Sequence, residues 1–171
     1  MDIRDASLAR YGLVADLNVE AYREFANAIG PEHWATMEAT LRNVKARSAE
    51  SQLIVAEVDG SIAGALAYYP PGGPRSFPLA QMIPPAAAYL AVLAVSPRFR
   101  RAGVAGAHRR VHRECIEGAR RDGADEIWLV TSELMPAARA LYEGFGFTRR
   151  GETSHYDVRY WSYSLSWIAM T

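Results

Sequence analysis

Apolar residues recur at helical spacing twice near the start of the chain, first at Tyr11, Val14, Leu17, Ala21 and Phe25, then at Trp34, Met37, Leu41 and Val44. Each series puts one apolar stripe along an α-helix. Gly30-Pro31 separates the two, and proline suits a first helical position because its missing N–H would go unbonded there anyway. Two amphipathic helices are therefore predicted to open the chain. The period then changes. Gln52 to Val58 and Ser61 to Tyr69 are apolar runs joined by Asp59-Gly60, a pair that tolerates positive φ and so marks a β-hairpin.

From Pro70 to Pro85 the pattern lapses. Six of the nine prolines fall there with Gly72 and Gly73, a density that excludes helix or central strand and leaves two readings open: the wall or lid of a site, or a plain surface insertion. Ala87 to Val95 reads as a buried strand. Val104 to Arg121 reads as a helix whose inward stripe is Val104, Ala107, Val111, Cys115 and Ala119. Glu126 to Thr131 is the next strand, and a short helix follows with Pro136 near its start and Gly144 just past its end. Strand, helix, strand, helix implies a right-handed parallel crossover. Trp161, Tyr163, Leu165 and Trp167 alternate with Ser162, Ser164 and Ser166, which predicts a last strand buried on one side.

Length and composition fit one compact α/β domain spanning 1–171, with 50% hydrophobic residues to build its core. Nineteen basic and nineteen acidic side chains cancel, so no overall field holds the protein on nucleic acid or an anionic membrane. Any anion must be held locally. A lone cysteine, Cys115, excludes an intramolecular disulfide and falls on the inward stripe as a small hydrophobe. Neither a leader-like N-terminus nor a run of about 20 apolar residues is present, which makes a cytoplasmic location the expectation.

The segment richest in chemistry runs from Leu93, Ala94 and Val95 through Ser96-Pro97-Arg98-Phe99-Arg100 to Arg101, Ala102, Gly103, Val104, Ala105 and Gly106. A strand ends, a basic loop follows, and small residues open a helix. The first N–H groups of a helix have no intrahelical acceptor and carry the positive end of its dipole, so small residues there allow a pyrophosphate to approach the backbone. The lysine and hydroxyl residue of an NTP-binding loop are missing, as is the glycine pattern of a dinucleotide fold.

Arg100-x-x-Gly103-x-Ala105 after Leu93-Ala-Val95 resembles the acetyl-CoA signature of the GNAT-type N-acetyltransferase superfamily. About forty residues on, Ala138-Arg-Ala-Leu141-Tyr142-Glu-Gly-Phe-Gly146-Phe147 is similar to that family's second motif. The resemblance covers roughly residues 50 to 168. It implies a mixed sheet splayed at its centre and flanked by helices, with acetyl-CoA in the cleft beside the Ala87–Val95 strand. The backbone of Leu93, Ala94 and Val95 would bond the pantetheine arm as an added strand does, and Arg100 to Gly106 would hold the pyrophosphate. Tyr142 matches the family's proton donor to the departing thiolate. Met135 and Ala137 stand where many members carry Asn and Arg; Thr131, Ser132 or Glu133 could substitute, and Arg139 could reach a CoA phosphate. By the same resemblance the acceptor is a small-molecule or peptide amine, and a homodimer is in keeping with the family.

No general base stands out. Glu57, Tyr68, Tyr69, Tyr89, Glu133, His155 and Asp157 are candidates, each better read as structural or solvated, and water can take the proton instead. His108 and His112 are one turn apart, but Arg109, Arg110 and Arg113 would repel a cation and no third ligand is in sight, so no metal is expected and a solvated helix face is the better account. The eight arginines between 98 and 121 interleave with Glu114 and Glu117, which weighs against nucleic acid. Two functions from different classes follow: an acetyl-CoA-dependent N-acetyltransferase, and a CoA-binding sensor without turnover, which Met135 and the missing base would favour.

Overall fold

The structure is a computed structural model that describes residues 1–100 and 105–168 of the 171. Among these residues β1 (Asp2–Asp5), β2 (Gln52–Val58), β3 (Ser61–Tyr69), β4 (Ala88–Val95), β5 (Glu126–Ser132), β6 (Thr148–His155) and β7 (Val158–Ser166) form one mixed sheet in the order β1-β2-β3-β4-β5-β7-β6. The hairpin of β2 (Gln52–Val58) and β3 (Ser61–Tyr69) falls where the sequence predicts it, turning through Asp59 at φ 49° and Gly60 at φ 77°. Those two positive φ values give a tight turn whose twist matches that of the strands. Leu53 and Val55 face one core and Ile54 and Ala56 the other, which explains why β2 reads as a continuous apolar run.

The opening helices are α1 (Tyr11–Tyr22), a short α2 (Ala26–Ile29), α3 (Pro31–Arg42) and a one-turn α4 (Val44–Ser48). Val14, Leu17, Ala21 and Val44 pack them on one face of the sheet. After a one-turn α5 (Pro97–Arg100), α6 (Ala105–Arg121) lies on the opposite face, where its Val111, Cys115 and Ala119 join Ile127, Leu129 and Tyr163 in the second core. Cys115 is buried there as the stripe predicts, and burial pushes its thiol up to about 12.

Two strands escape the sequence pattern: β1 (Asp2–Asp5), which pairs with β2, and β6 (Thr148–His155), which pairs with β7 (Val158–Ser166). Both are edge strands with mostly exposed side chains, so no apolar alternation marks them. The expectation that β7 is buried on one side is corrected. Ser162 and Ser164 are as buried as Trp161 and Tyr163, because Gly151 donates its N–H to Ser162 Oγ at 3.0 Å and Arg150 its Nε to Ser164 Oγ at 2.7 Å. Serine is small enough to accept that cover and keep its hydroxyl bonded.

The feature that creates a site is the junction of β4 (Ala88–Val95) with β5 (Glu126–Ser132). These strands run parallel as the crossover requires, yet they pair only from Ala88, Tyr89 and Leu90 to Ile127, Trp128 and Leu129. Beyond Leu90 they part. Val92 has φ 51°, a left-handed conformation that β-branched residues seldom adopt, and the β3–β4 register slips at the same level. The bulge turns β4 away from β5, and the sheet opens.

Candidate active site

Three connected spaces lie along the opening. The largest, a cleft of about 550 Å³, is bounded by the end of α1 (Ala21, Tyr22), the outer part of β4 (Leu93, Val95), Arg100, His108 and the start of α7 (Pro136–Gly144) with Tyr142. A slot of about 30 Å³ runs through the splay between β4 and β5, and Tyr22 and Tyr142 line it as well. A third pocket of about 190 Å³ opens on the far side of Tyr22. Tyr22 lines all three spaces and donates its hydroxyl to the carbonyl of Leu93 at 3.2 Å. Burial holds its phenol at about 12.

Tyr142 owes its position to the way α7 ends. Gly146 at φ 95° takes the left-handed residue after the helix, its N–H bonding the carbonyl of Glu143 at 3.0 Å while that of Phe147 reaches Tyr142 at 3.1 Å. This is a Schellman stop, in which the residue after the glycine packs back on the last turn. Phe147 does so against the Tyr142 ring, with centroids 6.0 Å apart. The Leu-Tyr…Gly-Phe spacing of the second motif is therefore a helix-termination device that fixes a tyrosine. The stop belongs to Gly146, not to Gly144, which remains helical. Burial, and then the nearby Tyr22 phenol, raise the Tyr142 pKa well above that of a free tyrosine, so its proton stays on at any working pH.

Of the residues expected to hold the cofactor, Leu93, Val95 and Arg100 come together in the cleft, while Ala94 points into the core and is fully buried. Gly106 is exposed on the first turn of α6. Arg101, Ala102, Gly103 and Val104 lie outside the described residues, and Ala105 is described only as backbone. Arg100 does not hang free at the loop. Its guanidinium bonds Glu24 at 2.9 Å, the Ala21 carbonyl at 3.0 Å and the Val95 carbonyl at 3.3 Å, so it ties α1 to the end of β4.

Several secondary candidates are engaged in structural contacts, the reading preferred for Glu57, Tyr68 and Glu133. Glu57 is buried away from the cleft, paired with Arg4 and with Arg10 at 3.4 Å. Tyr68 faces the other core and donates to Asp122 at 2.7 Å. Glu133 accepts the Arg159 N–H at 3.0 Å, and Arg139 lies over the Trp161 ring at 4.8 Å with one N–H toward the Glu133 carbonyl. The solvated account of His108 and His112 fails. Counting from Val111 and Cys115, both histidines sit at i−3 and widen the inward stripe. His112 is buried and stacks on Phe145 at 4.8 Å, with Nδ1 2.8 Å from the His108 carbonyl, and burial lowers its pKa; His108 lines the cleft, lowered by burial and by Arg100. Among the described residues, no three His, Cys, Asp or Glu side chains cluster in a way that could hold a metal.

The proline-rich segment lines the third pocket. Phe77, Pro78 and Leu79 form one of its walls, with Phe77 stacked on Tyr89 at 4.6 Å. Arg75 pins that segment to the Pro84 and Ala87 carbonyls, and Glu50 receives Ser76 at 2.8 and 2.5 Å. Tyr69, Tyr89 and His155, from the list of candidate bases, line this pocket. So do three residues that the sequence reading missed: Tyr22, His33 and Arg47. The signal was present. His33 lies four residues before Met37, beside the stripe of Trp34, Met37, Leu41 and Val44, and Arg47 follows Val44 by three. His33 is buried and stacks on Tyr156 at 4.7 Å, its Nε2 3.5 Å from the Tyr160 hydroxyl and its Nδ1 without a partner among the described residues. Burial, and then His155, lower its pKa, which keeps the ring neutral.

The Acetyltransferase (GNAT) family model matches residues 15–147. Among solved structures, a Desulfovibrio desulfuricans protein described as a GNAT-family acetyltransferase superposes with TM-score 0.68 at 19% identity over 96% of this chain and 98% of its own. A Salmonella typhimurium protein described as an acetyltransferase, solved with its cofactor acetyl-CoA, gives 0.68 at 19% identity over 100% and 96%. Ribosomal-protein-alanine N-acetyltransferase from Brucella melitensis gives 0.67 at 21% over 97% and 99%. At these identities the likeness is one of fold. No curated protein matches the chain.

Proposed function

The chain belongs to the GNAT acetyltransferase family, whose acetyl donor is acetyl-CoA, and from that premise we propose that residues 1–171 act as one N-acetyltransferase domain on a primary amine. The observation that carries this reading is the placement of Tyr142 where the cleft beside β4 meets the slot through the sheet. The cleft fits the cofactor on two further grounds. The open edge of β4 beyond Leu90 leaves backbone groups for a strand-like arm, and a Cβ built at Gly106 meets nothing within 4 Å, so no described atom crowds that side of the first turn of α6 where an anion would approach. Arg101 to Ala105 would complete that cradle.

Bound acetyl-CoA supplies the thioester carbonyl that the amine attacks. In the overall exchange an N–C bond forms, the C–S bond breaks, the amine loses a proton and the sulfur gains one. Tyr142, protonated at all working pH, donates a hydrogen bond and then a proton to the departing sulfur; its raised pKa makes the transfer productive only against a sulfur held at hydrogen-bond distance. Neutral His33, directly or through water, is suited to take the amine's proton. Tyr22 separates cofactor cleft from acceptor pocket and holds the Leu93 carbonyl in line. A thermal melt with acetyl-CoA, followed by a screen of amines for release of free CoA thiol, tests the reading. A raised midpoint and turnover with at least one amine are expected. A raised midpoint with no turnover on any amine would leave the sensor reading in its place.

A further inference from the structure

The pocket beyond Tyr22 has an unusual charge balance. Its walls are rings and aliphatic chains: Tyr69, Phe77 and Tyr89 lie 4.6 to 5.5 Å apart, with Met37, Leu41 and Val130 alongside. Among the described residues no Asp or Glu lines it, and the one fully charged residue on its walls is Arg47. Arg47 is only 8% exposed, and none of the ion pairs among the described residues includes it. One of its N–H groups goes to the Thr40 carbonyl, and its other near neighbours are the phenols of Tyr69, Tyr22 and Tyr89. A guanidinium offers five donors in a planar fork, and burying it without an anion carries a large desolvation cost. An anion entering the pocket would offset that cost. A second polar atom, the partnerless Nδ1 of buried His33, belongs to the same pocket.

We propose that the acceptor is a small primary amine that carries a carboxylate on an apolar body, the chemistry of a free apolar or aromatic amino acid, with the carboxylate on Arg47 and the side chain among Tyr69, Phe77 and Tyr89. This rests on the transferase reading and narrows it. The fork of arginine matches the two oxygens of a carboxylate. About 190 Å³ is below the range of pockets for drug-sized ligands, and suits a metabolite of this size. With no carboxylate among the described residues of its walls, the pocket offers nothing there to receive the second ammonium of a polyamine. The buried Arg47 would instead repel it. Tyr22 lines this pocket together with Arg47 and also bounds the cofactor cleft, so the amine of an acceptor whose carboxylate is on Arg47 would lie toward the splay.

Matched acceptors test this on the wild-type protein: L-phenylalanine, L-methionine and L-leucine, each beside its amide and its decarboxylated amine, with CoA release as the rate readout. Calorimetry of the same compounds on the CoA-loaded protein runs in parallel. The acids are expected to exceed their amides in kcat/KM or affinity by about 100-fold, the usual effect of a buried charge-assisted contact. Arg47→Met should reduce that ratio to near one while the KM for acetyl-CoA holds, and Arg47→Lys should retain part of it. Equal rates and affinities for acids and amides, or a preference for the decarboxylated amines, would overturn the proposal while leaving the transferase intact. If acetyl-CoA neither binds nor turns over, the transferase reading falls, and calorimetry of acids against amides on the unloaded protein still decides the role of Arg47. The wild-type comparison stands whether or not the variants fold.

Discussion

Tyr142→Phe separates chemistry from packing at the position where the two coincide. The ring is 7% exposed and packs on Phe147 and His112, and a phenylalanine ring can keep those contacts. Its hydroxyl takes part in none of the side-chain hydrogen bonds among the described residues, so the substitution removes no bond of the roughly 1 kcal/mol a typical one contributes. The melting midpoint should therefore move by no more than a degree or two, and the KM for acetyl-CoA should hold. Turnover should not. General acids contribute between about 10² and 10⁴ in rate, and a thiol whose reference pKa is about 8.5 leaves readily enough to put the effect at the lower end. We expect kcat to fall about 100-fold, equivalent to roughly 2.7 kcal/mol at the barrier. CoA release followed from pH 6.5 to 9.5, with an amine that the wild type acetylates, is the assay. The deficit should shrink above about pH 8.5, where the departing thiolate is stable without a proton. A kcat within threefold of wild type, or a loss that follows the melting midpoint, would refute the acid role and make Tyr142 a wall of the cleft.

Other outcomes follow from the same geometry. Gly106→Glu puts a carboxylate into open space on the first turn of α6, where the helix dipole tolerates it, and should weaken acetyl-CoA binding by about tenfold or more through repulsion. Calorimetry at rising salt should show that deficit narrowing. Gly146→Ala forces a Cβ onto φ 95° although the space beside Leu165 is adequate, so the cost is conformational, about 1 to 2 kcal/mol, read as a midpoint lowered by several degrees. His33, His108 and His112 all have folded-state pKa values below their unfolded 6.5, so the folded protein binds fewer protons than the unfolded chain in mildly acid solution. Their contribution is present above about pH 6.5 and is lost as pH falls through the folded values, at up to about 1.4 kcal/mol per pH unit for each histidine that stays neutral. Denaturant titrations between pH 7.5 and 5 should show this decline, and a flat profile would refute it.

Local rules settled a good deal of this protein. Asp59-Gly60 was enough to fix a hairpin, because two positive φ values in succession are a property of two residues and their turn. The β4–α6–β5–α7 order was legible from periodicity, and Leu141-Tyr142 with Gly146-Phe147 singled out Tyr142 by resemblance to the family motif, whereas the helix stop was expected at Gly144 and lies at Gly146. Edge strands β1 and β6 were not legible, since a strand exposed on most of its residues need not alternate. Nor were the roles of His33, Arg47, His108 and His112. A polar residue on an apolar stripe reads as an interruption until the elements around it are known, and whether it meets solvent, core or cavity depends on residues tens of positions away. The splay is the clearest case. Nothing in Ala88-Tyr-Leu-Ala-Val-Leu-Ala-Val95 distinguishes Val92, yet its left-handed backbone lets β4 leave β5 after Leu90 and opens the cleft and slot around Tyr22 and Tyr142. Sequence determines the elements because their periods are local, whereas the site is the space left where two of them stop pairing, and that depends on how the whole sheet is packed from both sides.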